Sequence, residues 1–266
     1  MIMNFKADIV AHSTSPAGKD IITMSLTYPR FIHSELMTHR VFSRNAMSSR
    51  AVPVAKMIEQ VRTNPAAPIH WGSNKPGMQA GEESKGHDLA AAREYWNVAA
   101  VHATNIAEDM MNMGLHKQVV NRILEPFQWM HTLVTSTEWD NFFNLRLSPM
   151  AQPEFRHLAV MMSEAQGVSQ PVLTDWHLPY ITADDIAKGF DKHELCLISA
   201  ARCARVSYLN HDGSAPNVEK DLVLAETLKS SGHASPFEHQ ALAASFVDAA
   251  SRNFKGWHQF RAIISL

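Results

Sequence analysis

The order of strand-like and helix-like segments restricts the fold of this chain most strongly. Residues 7–29, ADIVAHSTSPAGKDIITMSLTYP, contain two runs of β-forming residues around the turn-forming sequence Ser-Pro-Ala-Gly-Lys. Such a pattern predicts a β-hairpin. The longer segments that follow are mainly helical, so the pattern predicts mixed α and β structure. We therefore predict an α+β protein with a mixed or antiparallel sheet and flanking helices.

The remaining elements follow from apolar periodicity and from helix-ending residues. The Ala-rich stretch His87–Met113 precedes Gly114, and glycine is the residue that most often ends a helix. The predicted elements are a short helix within residues 30–43, helices over 87–113, up to 123 and over 153–165, and a strand within 242–249. The chain is therefore predicted to contain both helices and strands, with no internal repeat.

We predict one domain over residues 1–266. Its parts are a hairpin and basic block in 1–64, a loop in 65–86, a helical part in 87–192 and a C-terminal block in 193–266. The loop is rich in proline, glycine and polar residues. A loop of this length in a compact domain is usually a lid, a binding loop or a disordered segment.

Composition excludes several classes of protein. An apolar content of 45% is enough for a full core, and a formal charge of −2 argues against a surface built to bind nucleic acid. No window approaches the roughly eighteen apolar residues of a membrane span, so no membrane partner is expected.

The only cysteines, Cys196 and Cys203, lie two helical turns apart, which disfavours a disulfide and indicates a cytoplasmic protein. No zinc-type spacing of Cys and His is present, and no metal is expected.

The segment THRVFSRNAMSSR, residues 38–50, concentrates hydrogen-bonding and cationic groups. It holds four basic side chains, three serines and one asparagine, and it contains no acidic residue. A single arginine here, such as Arg44, could be a solvated surface charge. Several arginines together with serine hydroxyls are better suited to phosphate oxygens, which the planar guanidinium binds in pairs. The segment predicts a phosphate- or nucleotide-binding site.

The same segment resembles the signature of the flavin-dependent thymidylate synthases, the ThyX family. That signature begins with Arg-His-Arg, which is followed by Ser and Asn. Seven residues separate the last Arg of the triplet from a further Ser, and another Arg comes after it. The matching residues are His39, Arg40, Ser43, Asn45, Ser48 and Arg50.

Three other parts of the chain resemble the same family. The stretch NRILEP supplies Arg122. The stretch NFFNLRLSPMAQPEFR supplies Asn141, Asn144, Arg146 and Gln152. The stretches ARVSY and GHASPFEH supply His233, Ser235 and Glu238. The family resemblance is therefore spread over most of the chain.

The order of these blocks differs from the family pattern. In the family the His-x-Ser-Pro-Phe-Glu-His block precedes Arg-His-Arg, whereas here GHASPFEH follows it by almost two hundred residues. We predict a permuted motif order. The C-terminal NFKGWHQFRAIIS resembles the stretch that normally leads into the triplet, so Arg261 is expected to supply the arginine that Thr38 replaces.

The resemblance implies an activity and a set of partners. Family members use FAD to convert dUMP to dTMP, with the carbon from methylenetetrahydrofolate and the hydride from NADPH, and without a cysteine nucleophile. They are homotetramers whose sites are shared between subunits. Arg202 and Arg205, near the cysteines, are interpreted as surface charges.

By this resemblance each matched residue receives a role. Arg146 is the expected catalytic residue, which stabilises negative charge on the uracil. The expected dUMP-binding residues are Glu35, Ser48, Arg50, Arg122 and Arg146. The expected flavin-binding residues are His39, Arg40, Ser43, Asn45, Asn141, Asn144, His233, Ser235, Glu238 and Arg261.

Several residues depart from the family pattern. Thr38 replaces an arginine, Ala46 a common glutamate, Ala51 a common tyrosine, and Met150 a frequent histidine near the flavin. Two alternatives therefore stay open. One is a related enzyme that leaves a hydroxymethyl group on the pyrimidine, and the other is a non-catalytic nucleotide- or RNA-binding relative.

Overall fold

The computed structural model of the chain describes residues 5–207 and 217–264. The last residue of the ARVSY segment, Tyr208, lies outside the described residues. Within the described parts no helix combines the length and the apolar character needed to cross a membrane.

The predicted N-terminal hairpin is confirmed. Strands β1 (Lys6–Thr14) and β2 (Asp20–Pro29) pair antiparallel. The turn between them closes with a hydrogen bond of 2.9 Å from the Ser15 amide to the Lys19 carbonyl. Gly18 has φ of 87°, a value that glycine adopts without a Cβ clash. The local turn chemistry is therefore sufficient to place this hairpin.

The hairpin is part of a five-stranded mixed sheet. The other strands are β3 (Ser43–Ala46), β4 (Trp129–Ser136) and β5 (Val172–Leu173), and the order is β3-β4-β2-β1-β5. All neighbours pair antiparallel except β1 and β5, which are parallel. The predicted mixed or antiparallel sheet is confirmed.

Strand β4 lies within residues 87–192, the part for which the sequence predicted helices. It pairs with β2 on one side and β3 on the other. Seven of its eight residues are buried, with His131 the half-buried exception. A strand covered on both faces lacks the polar alternation that identifies strands in sequence. Its position between two strands from the N-terminal part arises from long-range pairing.

Ten helices lie in the described residues. They are α1 (His33–Leu36), α2 (Val54–Thr63), α3 (Gly86–Asn112), α4 (Lys117–Val120), α5 (Asp140–Arg146), α6 (Pro153–Val168), α7 (Ala183–Ala187), α8 (Lys192–Ala204), α9 (Val218–Ser230) and α10 (Phe260–Ile263). Helices α3 and α6 agree with prediction, and Gly114 follows α3 with φ of 80°. Helices α1 and α4 are single turns, shorter than predicted, since the residues beyond α1 leave the helix and form β3.

The main core lies between the sheet and helices α2, α3 and α6. It buries large side chains from the sheet, α2 and α6, and small alanine side chains from α3. Examples are Met24 and Leu26 of β2, Met57 of α2 and Phe155 of α6. Helix α6 packs on β1 and β2, and α5 packs on α6. The packing of α5 on α6 brings the end of α5 close to the residues that follow α1.

The C-terminal part adds two small sheets. Strands β6 (Trp176–His177), β7 (Ala241–Ala243) and β10 (Trp257–Gln259) form one in the order β10-β7-β6, and β8 (Ala250–Ser251) pairs with β9 (Phe254–Lys255). The strand predicted within residues 242–249 is observed as β7, which is shorter and begins one residue earlier. It ends at Ala243, and the chain then turns at Phe246, whose carbonyl accepts from the Ala249 amide at 3.2 Å.

A chain of buried polar side chains joins the five-stranded sheet to the C-terminal part. The two ring nitrogens of His177 bond to Ser13 and Thr23, each at 2.8 Å. Thr23 bonds to Thr135 at 2.6 Å, and Thr135 bonds to Nδ1 of His239 at 2.8 Å. Burial lowers the pKa of His177 and of His239 to about 3. Both rings are therefore neutral at pH 7, as a dry interior requires.

Candidate active site

Arg146 is held at the C-terminal end of α5 by three contacts. Its Nη1 donates to Oε2 of Glu35 at 2.7 Å, and its Nε donates to Nε2 of His39 at 2.9 Å. Its guanidinium carbon lies 4.5 Å from the ring centre of Phe155, a cation–π distance. The remaining nitrogen, Nη2, has only a long contact of 3.5 Å to Thr38. Arg146 is thus fixed in orientation while keeping donors for a ligand.

His39 lies beneath Arg146 in an aromatic environment. Its ring centre is 4.9 Å from that of Phe142 and 5.7 Å from that of Phe42, and only 6% of the residue is exposed. Burial lowers the pKa of His39 to about 4, and the charges of Arg146 and Arg44 act in the same direction. The imidazole is therefore neutral at pH 7, and its Nε2 carries the lone pair that accepts from Arg146.

Arg146 and Glu35 line a cleft of about 690 Å³. Its walls are the end of α5, the start of α6, α1 with the residues before it, part of α3 and the loop 65–86. The other residues that line it include Phe31, Trp96, Met150, Gln152 and Glu154. The cleft combines aromatic walls with one ion pair, the usual composition of a small-molecule site.

The loop 65–86 forms one wall of this cleft and is anchored at several points. The buried carboxylate of Glu154 accepts from the Ile69 amide at 2.8 Å through Oε1 and from Gln152 at 3.1 Å through Oε2. The Trp96 indole donates to the Ala66 carbonyl at 2.9 Å. A β-bridge pairs Gly72 with Glu83 across the loop. These contacts make the loop an ordered wall of the cleft.

The predicted phosphate residues form a second group, which does not line the cleft. Ser48 and Arg50 lie in a turn in which the Ala51 amide donates to the Ser48 carbonyl at 2.9 Å. The guanidinium of Arg50 is exposed, and it bonds to no residue in the described parts of the chain. Its main-chain amide lies 3.3 Å from the Ser48 hydroxyl. Arg50 therefore presents an uncompensated cation to solvent.

Arg122 joins this turn through Glu125, which sequence reasoning missed. One oxygen of Glu125, Oε1, accepts from Arg122 at 2.7 Å, from Arg30 at 2.9 Å and from Ser49 at 3.3 Å. The carboxylate thus gathers two arginines beside the turn that carries Ser48. The stretch NRILEP contains Glu125 but predicted only Arg122 as a site residue, and the contacts of Glu125 with Arg30 and Ser49 depend on packing of separate segments.

The GHASPFEH block contacts the signature segment within one chain. Ser235 lies 3.5 Å from Asn45, and the Asn45 amide donates to the Cys203 carbonyl at 2.7 Å. The Ser43 hydroxyl is fully buried and accepts from Gln259 at 2.8 Å. The blocks that are distant in sequence therefore meet at β3. The side chains of Ser43 and Asn45 therefore already form hydrogen bonds within the protein.

His233 and Arg261 lie on this C-terminal side. His233 is exposed, and its Nδ1 bonds to the Ser231 hydroxyl at 2.8 Å. Arg261 forms an ion pair with Glu238. That Arg261 takes the place of an arginine at Thr38 stays a prediction, since the structure shows only that its guanidinium pairs with the carboxylate of its own block.

Arg202 and Arg205 are not the surface charges that the sequence suggested. Arg202 is 6% exposed and donates to Asp185 at 2.6 Å and 2.9 Å and to Asp221 at 2.9 Å. Arg205 pairs with the other oxygen of Asp221. The hydrogen bonds from Arg202 hold the pKa of Asp185 well below its ordinary range. These residues form a buried ion-pair network that joins α7, α8 and α9.

Five of the ten residues predicted to bind FAD form two sets, one exposed and one buried. Arg40, Asn141 and Asn144 are exposed, and their side chains have no partner in the described residues. A guanidinium and two amides are a suitable donor set for a pyrophosphate and for ring carbonyls. His39 and Ser43 are buried and already bonded. The exposed set fits FAD, and the buried pair can support it only from behind.

Comparisons with known proteins agree with this fold. A family model described as thymidylate synthase complementing protein matches residues 7–169, and no curated protein matches the sequence. The chain is similar to the UMP/dUMP methylase PolB from Streptomyces cacaoi bound with 5-Br UMP, with 17% identity and a TM-score of 0.53 over 62% of this chain and 89% of that chain. The same protein bound with 5-Br dUMP gives 15% identity and a TM-score of 0.50 over 62% and 90% of the two chains. At these identities the likeness concerns the fold.

Proposed function

The chain belongs to the thymidylate synthase complementing protein family, and from this membership we propose that it methylates carbon 5 of dUMP to give dTMP. The observation that carries the proposal is Arg146, which Glu35 and His39 fix in a cleft with aromatic walls. The structural similarity to a UMP/dUMP methylase supports the same reaction class. The chain is thus a methyltransferase of the thymidylate synthase type.

Arg146 would act on the uracil ring. When carbon 5 acts as a nucleophile, negative charge develops on the ring carbonyl oxygens, and a guanidinium placed beside them stabilises it. A well-placed donor of this kind is commonly worth about 3 to 4 kcal/mol in the transition state. Because Arg146 is already oriented by its protein contacts, little reorganisation is needed when the substrate binds.

The phosphate of dUMP would bind at the turn that carries Ser48 and Arg50, with Arg122. The exposed and unpaired guanidinium of Arg50 supports this assignment. Arg122 is 54% exposed at its side chain and can exchange its contact with Glu125 for a phosphate. Charge-assisted hydrogen bonds of this type are the strong ones in nucleotide recognition.

FAD would be held by Arg40, Asn141 and Asn144 on one side and by the block of His233 and Ser235 on the other. When bound, FAD would supply the hydride-transfer chemistry that completes the methyl group, with NADPH as the reductant. The new carbon comes from methylenetetrahydrofolate, and the hydrogen on carbon 5 of dUMP leaves as a proton. The protein contributes binding, orientation and electrostatics.

We also propose that the enzyme is a homotetramer with shared sites. The phosphate residues do not line the Arg146 cleft, so a neighbouring chain can complete the site. Helix α3 supports assembly, because it exposes Tyr95 (74%), Val101 (50%) and Ile106 (49%). A cytoplasmic location remains part of the proposal, because both cysteines are buried and free.

The direct test is product analysis. The purified protein is incubated with dUMP, methylenetetrahydrofolate, FAD and NADPH, and the nucleotide is identified by mass. We expect dTMP and a yellow protein that bleaches with NADPH. A hydroxymethylated nucleotide would assign the related hydroxymethylase activity. A colourless protein that leaves dUMP unchanged would contradict the enzyme proposal and favour a nucleotide-binding role.

A further inference from the structure

The loop 65–86 folds back on itself and forms an arm beside the cleft. The Ser73 amide donates to the Glu82 carbonyl at 2.9 Å, which joins the two halves of the loop. The halves approach so closely that a Cβ added at Gly72 would lie 2.5 Å from the Cβ of Ala80. The arm is therefore one folded unit, and its position depends on the contacts at its base.

The arm and the segment 149–153 both contribute apolar side chains to the cleft. The arm supplies Pro68, Met78 and Ala80, and the segment supplies Pro149, Met150 and Pro153. The two walls touch where the Gln79 side-chain amide donates to the Met150 sulfur at 3.1 Å. Apolar walls offer water few hydrogen-bond partners, and the contact between the walls closes one side of the cleft. The arm in this position therefore restricts the entry of water.

Glu154 anchors the base of the arm from within the protein. It is 3% exposed and lies in the first turn of α6. Its Oε1 accepts from the Ile69 amide at 2.8 Å, and its Oε2 accepts from Gln152 at 3.1 Å. A second anchor is the bond of 2.9 Å from the Trp96 indole to the Ala66 carbonyl. The carboxylate thus connects a core helix to a surface loop.

We propose that Glu154 is a positioning residue that keeps the arm closed, so that the product carries a methyl and not a hydroxymethyl group. This inference rests on the proposed function and deepens it. The carbon that is transferred to carbon 5 of the pyrimidine is at the oxidation level of formaldehyde. A hydride reduces this carbon to methyl, and the hydride donor is oxidised by two electrons. Addition of water with loss of a proton leaves hydroxymethyl without any redox change, so exclusion of water decides the product.

The test measures the ratio of hydroxymethylated to methylated nucleotide by mass. Glu154→Ala removes both acceptors at the base of the arm, and Gly72→Ala forces the arm apart at the surface. We expect each variant to raise the ratio at least about tenfold, as loss of a buried hydrogen-bond partner implies. Glu154→Gln keeps an oxygen for the Ile69 amide and should stay close to the wild type.

Asp185→Asn is the matched control. Asp185 is also a 3% exposed carboxylate, but it pairs with Arg202 and does not line the cleft. We expect this variant to lose thermal stability and to keep the wild-type product ratio. A role of Glu154 in stability alone would give the same result in Glu154→Ala as in the control.

Hydrogen exchange of the arm provides a readout that needs no turnover. Exchange is measured by mass spectrometry on the protein without cofactor or substrate. Glu154→Ala should speed exchange over residues 66–84, because the Ile69 amide loses its acceptor and the arm moves away from the cleft. Asp185→Asn should leave exchange in these residues as it is in the wild type.

The outcomes separate this inference from the proposed function. If the wild type makes dTMP and Glu154→Ala also makes dTMP alone although its arm exchanges faster, the inference is wrong and the function stands. Unchanged exchange of the arm in Glu154→Ala would equally overturn the inference. If Glu154→Ala does not fold, the product ratio of Gly72→Ala decides. A wild type that makes the hydroxymethylated nucleotide, or that leaves dUMP unchanged, would overturn both.

Discussion

Nε of Arg146 donates a hydrogen bond to Nε2 of His39 over 2.9 Å, although the two residues lie 107 positions apart in the chain. The bond requires a neutral imidazole, because a protonated ring has no acceptor nitrogen. The buried environment supplies this condition by lowering the pKa of His39 to about 4. His39 thus holds the arginine on which the proposed chemistry depends.

Loss of the His39 acceptor should impair turnover through Arg146. We expect His39→Ala to lower kcat by about tenfold to a hundredfold, since a buried donor left unpaired costs about 1 to 3 kcal/mol. His39→Gln should recover part of the rate, because its amide oxygen can accept from Nε. Steady-state kinetics check this, and equal losses in both variants would argue against a positioning role.

Arg146 should matter more for catalysis than for binding. Arg146→Lys keeps the charge but loses the planar fork that Glu35 and His39 orient. We expect kcat to fall about a hundredfold or more, the usual effect of removing one such donor, with a smaller change in dUMP affinity. If affinity and turnover fall by the same factor, Arg146 is a binding residue and another group must stabilise the charge.

Arg50 should contribute to phosphate binding. Arg50→Ala is expected to weaken dUMP binding by about 1.5 to 3 kcal/mol, the usual worth of a hydrogen bond to a charged group. Arg93→Ala on α3 is a suitable control, because Arg93 is also an exposed arginine. Calorimetric titration with dUMP provides the measurement. Unchanged affinity in Arg50→Ala would remove this residue from the site.

Arg202 should be essential for stability. Arg202→Ala leaves Asp185 and Asp221 buried without their main partner, and breaking such a pair commonly costs about 3 to 5 kcal/mol. Urea unfolding at pH 7 should show this loss, whereas Arg93→Ala should be close to the wild type. A loss below about 1 kcal/mol would mean that water or Arg205 compensates the two carboxylates.

Stability should fall on mild acidification. The pKa of His177 and of His239 is about 3 in the folded protein, far below the ordinary value of 6.5. Between those values the unfolded chain binds more protons than the folded chain, so the free energy of unfolding decreases as pH falls below about 6.5. Each such histidine contributes a slope of up to about 1.4 kcal/mol per pH unit.

The variant His239→Leu checks the source of this slope. Leucine removes the titrating ring and leaves the Thr23–Thr135 hydrogen bond in place. Urea unfolding at pH 7 and pH 5 should show a smaller loss of stability in the variant than in the wild type. The same loss in both proteins would assign the acid sensitivity to other groups.

Local patterns in the sequence predicted the elements that local interactions determine. The N-terminal hairpin follows from its turn residues, with Gly18 in the left-handed region, and the end of α3 follows from Gly114. Mixed α and β structure followed from such elements. The motif blocks also identified the family, which the match over residues 7–169 confirms.

Only the tertiary structure decided which of these residues meet. The position of β4 in the middle of the sheet, the burial of Arg202 and the bond between His39 and Arg146 all join segments that are distant along the chain. The residue types alone allow His39 to bind a cofactor and Arg202 to lie in solvent. Packing excludes both alternatives, because a polar side chain that is buried is stable only when the fold places a hydrogen-bond partner beside it.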